Sequence, residues 1–232
     1  MSVEVTDEGF RYGRGVFETL RVHDGQPLFR FWHEELIVEG ARALALDPAP
    51  VFFISDPPDV NGIWRWYLTS SGVETHFETE RAELPSSYTL SSSGIRIHSC
   101  SWESRYKTLN YLNRVQAREE ASTDEVVLLN ENGLLASAAM ANLFWVRQGR
   151  IYTPATEAGC RAGVVRRWIL EMSGEKVETG LFHPSELGEA TEIFLTNSRV
   201  GIMPITAWCG KSLPLGDMTL ALWKKYQNET RL

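Results

Sequence analysis

Residues 16–22 alternate between two faces as a half-buried strand should, and the tight-turn dipeptide Asp24-Gly25 follows the run. A strand places Val16, Glu18 and Leu20 on one face and Phe17 and Thr19 on the other. Gln26-Pro27-Leu28-Phe29-Arg30-Phe31 completes a hairpin. The spacing then predicts a helix over 32–46, with Leu36, Gly40, Ala43 and Leu44 on one side and Asp47-Pro48-Ala49-Pro50 as its stop. Pro57-Pro58 marks a loop before two strands, 63–69 and 73–80, joined at Ser70-Ser71-Gly72, and a short strand is expected over 95–98. The first hundred residues thus read as mixed α and β, with strands joined by short antiparallel turns.

The second half continues the alternation of element types. Leu109, Leu112 and Val115 predict a helix face, and 125–129 an apolar strand that turns at Asn130-Glu131-Asn132-Gly133. A long extended run follows over 135–146, then strands at 151–153, 177–182, 192–196 and 201–208, and helices at 164–172, 185–187 and 217–227. The loop over 99–106 divides an amino-terminal α/β domain, residues 1–104, from a larger one, residues 105–232.

Composition narrows the class. The chain has 232 residues, 43% of them hydrophobic, with eight tryptophans, enough for a substantial core. No apolar run approaches the roughly 20 residues that span a bilayer, and the acidic start Met1-Ser2-Val3-Glu4 lacks the basic and apolar regions of a signal peptide. Cys100, Cys160 and Cys209 are odd in number and widely spaced, which argues for reduced thiols in a cytoplasm and against a zinc site or other metal centre. A net charge of -7 without a lysine-rich run argues against nucleic acid as a partner. A cytoplasmic enzyme with a small-molecule substrate, bound neither to nucleic acid nor to a membrane, is the expectation.

Four stretches could carry its chemistry. Lys107 is the first lysine of the chain, and arginine supplies nearly all the positive charge elsewhere. Lysine, unlike arginine, can lose its proton and form a Schiff base with a carbonyl. Gly159-Cys160-Arg161-Ala162-Gly163-Val164 opens a helix with a glycine, a position suited to an anion such as a phosphate. Thr196-Asn197-Ser198-Arg199 leaves a strand end with three hydrogen-bonding side chains and a guanidinium. Tyr12-Gly13-Arg14-Gly15 leads into the first strand, and its two glycines permit a close approach by something bulky.

In chain order, with Asn142-Leu143-Phe144 added, the motifs read Tyr-Gly-x-Gly-Val-Phe-Glu-Thr, Lys-Thr-x-Asn-Tyr-Leu, Asn-Leu-Phe, Gly-x-x-Arg and Phe-Leu-Thr-Asn-Ser. That order resembles the class IV, fold-type IV, pyridoxal-phosphate (PLP) enzymes along essentially the whole chain. The resemblance implies two mixed α/β domains with the cofactor cleft between them, and a homodimer. It implies that Lys107 bonds the cofactor and moves the substrate Cα proton, that Gly163, Val164 and Ser198 hold the cofactor phosphate, and that Tyr111 contacts its ring. Tyr12 and Phe17 would line the substrate side, with Arg14 and Arg199 as partners for substrate carboxylates.

The wording Phe-Glu-Thr-Leu-Arg-Val is more like the lyases of the group than its branched-chain enzymes. It points to an aminodeoxychorismate lyase-like activity, elimination of pyruvate from 4-amino-4-deoxychorismate to give 4-aminobenzoate for folate synthesis. A branched-chain or D-amino-acid aminotransferase of the same fold is the alternative. The sequence also departs from the family pattern. Leu36 stands where an arginine grips the phosphate, Ser137 where a carboxylate meets the pyridine nitrogen, and Val165 where a helix-start threonine is usual. These departures leave open a third reading, a descendant with weak or no PLP binding that serves as a binding or non-catalytic protein.

Overall fold

The structure, a computed structural model, describes residues 4–80 and 84–231. The first three residues of the stretch read above for targeting lie outside the described residues. The expected mixed α/β architecture is borne out, as two compact units, one made of 4–80 with 106–111 and the other of 84–105 with 112–231.

The first unit is built on the alternating strand. α1 (Glu8–Tyr12) leads into β1 (Val16–His23), which turns through a positive-φ Asp24-Gly25 into the short β2 (Gln26–Pro27). α2 (Arg30–Ala43) follows, then β3 (Gly62–Thr69) and β4 (Gly72–Thr79). The sheet order is β2-β1-β3-β4, antiparallel throughout. Val16, Glu18, Leu20 and Val22 are buried, and the core pairs Val16, Leu20 and Val22 with Ile37, Val38 and Ala41 of α2 and Trp64, Trp66 and Leu68 of β3. Of the face expected of this helix, Gly40 is buried, whereas Leu36, Ala43 and Leu44 are only partly so. The buried face is His33, Ile37, Val38, Gly40 and Ala41, the side that packs on β1 and β3, and the helix runs from Arg30 to Ala43 rather than over 32–46.

The second unit holds one large sheet. β5 (Tyr88–Ile97) is far longer than the predicted 95–98: Tyr88, Thr89 and Leu90 pair in parallel with residues 205–208 on one side, and Leu90, Ser91 and Ser92 with residues 125–127 on the other, although Ser91-Ser92-Ser93 lacks apolar alternation. α3 (Trp102–Arg105) is one turn long, and α4 (Leu112–Glu119) follows the excursion through the first unit. Its inner face is Arg114 and Ala117, whereas Leu112 is exposed, so the apolar face expected from Leu109, Leu112 and Val115 does not form. β6 (Glu125–Asn130), β7 (Leu135–Ala138) and β8 (Asn142–Arg147) come next; the single extended run over 135–146 is broken at 139–141.

β9 (Arg150–Pro154), α5 (Val164–Glu171), β10 (Val177–Gly180), β11 (Glu192–Asn197), β12 (Gly201–Trp208), β13 (Lys211–Ser212) and α6 (Asp217–Thr230) complete the unit. The sheet order is β10-β9-β8-β11-β12-β5-β6-β7, with β13 on β12. Phe144 stacks on Phe194 across β8 and β11, and Trp168 of α5 meets Tyr226 of α6 edge to face. No helix among the described residues is long and apolar enough to cross a membrane.

Candidate active site

Lys107 is annealed to the edge of β1. The Phe17 N–H donates to the Lys107 carbonyl at 2.8 Å, the Leu109 N–H to the Gly15 carbonyl at 2.9 Å, and Val16 and Thr108 form an antiparallel bridge. The two glycines of the Tyr-Gly-x-Gly stretch make room for this segment. A Cβ on Gly15 would stand 2.5 Å from Leu109 Cδ1, and one on Gly13, at φ 68°, would crowd the main chain of Asn110. The bulky group these glycines admit is thus the chain's own lysine segment.

The side chain of Lys107 is held as firmly as its backbone. Nζ donates to the Thr19 hydroxyl at 3.1 Å and lies 4.6 Å from the centroid of the Phe17 ring, on the face of β1 opposite the core. A cation over an aromatic face gains electrostatic attraction, and the hydroxyl fixes its direction. Phe17 in turn stacks on Tyr67 of β3 at 6.0 Å and takes the Tyr111 ring edge-on at 5.3 Å. Lys107, Phe17 and Tyr111 are therefore brought together. Thr19, which lies in the motif without an assigned role, and Tyr67, which lies outside it, belong with them.

Tyr12 and Arg14 stand apart from that cluster. Tyr12 is exposed on α1 with the Arg11 guanidinium over its ring, 4.8 Å from the centroid. Arg14 is engaged at the end of α2, where it pairs with Glu8 and donates to the Leu44 carbonyl at 3.0 and 3.2 Å.

The candidate anion site lies in the second unit. Gly163 caps α5 without a side-chain acceptor, so the first-turn N–H groups of Val164 and its neighbours face outward from the helix start. Gly163 presses on Asn142, where an added Cβ would come within 2.3 Å of Oδ1. Asn142 is the strand partner of Thr196, two residues before Ser198. The helix start and the Ser198 turn are thus at one end of the same sheet. The turn itself is shaped by Asn197, whose Oδ1 accepts the N–H groups of Arg199 and Val200 at 3.0 and 2.9 Å, while Arg199 is exposed.

Ser137 is buried on β7. Its hydroxyl donates to the Ala138 carbonyl at 2.8 Å and accepts from Arg114 Nη1 at 3.1 Å. The same nitrogen reaches the Ala138 and Ala139 carbonyls at 3.2 and 3.1 Å. Glu125 grips this turn from the other side by accepting the Met140 N–H at 3.1 Å, and burial pushes its carboxyl up from the ordinary value against the pull of the Val126 and Met140 N–H groups. Arg114 was not foreseen, because a basic residue inside a helix reads as solvent-facing until its partner is known. No group of three or more His, Cys, Asp or Glu residues close enough to hold a metal occurs among the described residues.

Residues 68–208 match the family described as amino-transferase class IV. The chain is 29% identical over 260 residues to the aminodeoxychorismate lyase of Bacillus subtilis, covering 97% of this chain and 88% of that one. Its fold superposes on the 4-amino-4-deoxychorismate lyase of Pseudomonas aeruginosa with a TM-score of 0.86 at 25% identity, covering 100% and 97% of the two chains. It superposes on the branched-chain aminotransferase of Thermoproteus uzoniensis with a TM-score of 0.88 at 22% identity, covering 98% and 89%.

Proposed function

Because this chain belongs to the amino-transferase class IV family, we propose that it is a pyridoxal-phosphate-dependent lyase that eliminates pyruvate from 4-amino-4-deoxychorismate and leaves 4-aminobenzoate. The observation that carries this is the placement of Lys107, the family's reacting lysine by resemblance, against Thr19 and Phe17. Likeness to aminodeoxychorismate lyases over nearly the full chain supports the lyase over the aminotransferase.

The residues fit the cofactor at two places. Lys107 Nζ is a directed amine on an aromatic floor, and the uncapped start of α5 with the Ser198 turn at the same sheet end suits a phosphate. At a third place the chain differs from its family: Ser137 offers a neutral hydroxyl backed by the Arg114 guanidinium. PLP supplies, when bound, a sink for the electron pair left as the substrate Cα–H bond breaks. Lys107 Nζ, in its deprotonated form, accepts that proton and then, as the ammonium, gives one to the leaving pyruvate carbon. Thr19 Oγ1 directs Nζ, while Phe17, Tyr67 and Tyr111 keep water from it. Val164 main-chain N–H and Ser198 Oγ bind the phosphate. Arg199, exposed beyond the Ser198 turn, pairs with a substrate carboxylate, whereas Arg14 holds α1 to the end of α2.

A homodimer in a reducing cytoplasm suits the exposed Phe31, Phe52 and Phe53 of the first unit and the three free thiols. The test of the activity is pyruvate release from 4-amino-4-deoxychorismate, run beside amine transfer to an α-keto acid. Pyruvate release that Lys107→Ala abolishes is the expected result. Amine transfer without pyruvate release would replace the lyase by an aminotransferase.

A further inference from the structure

The core-facing side of β1 carries a carboxyl group among apolar neighbours. Glu18 lies between Val16 and Leu20 on that face, and its Oε2 meets the His33 Nδ1 of α2 at 2.7 Å, with each residue only 1% exposed. With the carboxyl ionised it can only accept, so Nδ1 carries the proton. The same Oε2 accepts from the Thr19 N–H at 3.3 Å.

That N–H lies on a particular edge. Main-chain N–H groups two residues apart in a strand face the same way, and the Phe17 N–H donates to the Lys107 carbonyl. The Thr19 N–H is the next along the edge to which the lysine segment is annealed. The Thr19 hydroxyl, at the same residue, accepts from Lys107 Nζ. One carboxylate therefore links α2, the β1 edge and the residue that directs the lysine.

A buried carboxyl–imidazole pair is a weak source of stability even when both groups are charged, and apolar residues of similar volume often replace such a pair without loss. A core that needed only cohesion would be served by a leucine at position 18. We propose that Glu18 and His33 are positioning residues for Lys107. The imidazole fixes the carboxylate, the carboxylate fixes the Thr19 main chain, and the Thr19 hydroxyl then stays within reach of Nζ. This rests on Lys107 being the reacting amine; neither residue of the pair touches the reacting atoms.

The test compares the full-length PLP-loaded protein with Glu18→Leu/His33→Leu and with Glu18→Gln, which keeps an acceptor for both donors. Expected for the double variant is an unchanged or raised melting temperature, a kcat lower by roughly ten- to hundredfold with KM little altered, and Thr19 amide exchange faster by about the same factor. The Leu20 amide, in the β1–β3 ladder, is the internal control, and Glu18→Gln restores most of the rate. Wild-type kcat and Thr19 exchange in a folded double variant would overturn the proposal, as would a kcat loss that only follows a falling melting temperature. If the double variant does not fold, His33→Gln carries the same readouts. If wild-type protein fails to attach PLP at Lys107, the assignment of that lysine falls, and the Thr19 exchange alone decides whether the pair holds the strand edge.

Discussion

Lys107 Nζ lies 3.1 Å from the Thr19 hydroxyl, although 88 residues separate the two in the chain. The contact exists because residues 107–109 pair with the edge of β1, which sets the lysine on the strand face that carries Phe17 and Thr19. An amine held this way is directed before any substrate arrives, and such pre-alignment lowers the cost of reaching a reactive geometry.

Thr19→Val keeps the shape and removes the hydroxyl. A hydrogen bond to a charged group is worth about 2 kcal/mol, so kcat/KM should fall roughly thirtyfold while the fold is retained. Steady-state kinetics beside a melting curve check both parts.

Gly163→Ala drives a Cβ to 2.3 Å from Asn142 Oδ1. Asn142 cannot easily yield, because its amide donates to the Arg161 carbonyl at 2.8 Å and to Cys160 Sγ at 3.2 Å. The overpacking should cost about 1–3 kcal/mol and move the start of α5. A urea melt reads the first effect, and PLP affinity measured by fluorescence titration reads the second, as a weaker Kd.

Arg114→Met keeps the length of the buried side chain without its donors to Ser137 and the Ala138 and Ala139 carbonyls. Loss of these charge-assisted bonds should destabilise the protein by about 2–3 kcal/mol. The expected sign is a lower urea midpoint at unchanged slope.

Asp7 ties α1 to the turn after β3. It caps the Gly9 N–H at 2.7 Å and accepts from the Ser71 and Thr69 hydroxyls at 2.6 and 2.8 Å. Those bonds, the Ser71 hydroxyl first among them, hold its carboxyl at about 2 against an ordinary 3.8. A depressed acid stabilises the folded state fully above the ordinary value and loses that contribution as pH falls toward about 2. Asp7→Asn should therefore lower the melting temperature at neutral pH and flatten its decline on acidification below 3.8. Melting curves across that acid range test the difference.

Much of this was legible where the information is local. The alternation at 16–22 placed Phe17 and Thr19 on one face, and Gly163 at a helix start was visible as a glycine before an apolar run. What could not be read was non-local. Ser91 and Ser92 enter a strand because they pair in parallel with Val126 and Val127 of β6, and parallel pairing leaves no turn signature between partners. Leu112 reads as core by periodicity yet is exposed, while Arg114, two residues on, is buried against a turn that the chain reaches only after two strands. Thr19 as the partner of Lys107 was hidden for the same reason: the edge pairing that joins them brings together residues 88 apart in the chain.

The most direct test of the account is reduction of the PLP-loaded protein with borohydride, followed by peptide mapping. The account predicts a visible absorbance band that borohydride removes, with the cofactor fixed on the peptide carrying Lys107. No band and no labelled peptide at saturating PLP, or a label on Lys176, Lys211, Lys224 or Lys225 in its place, would contradict it.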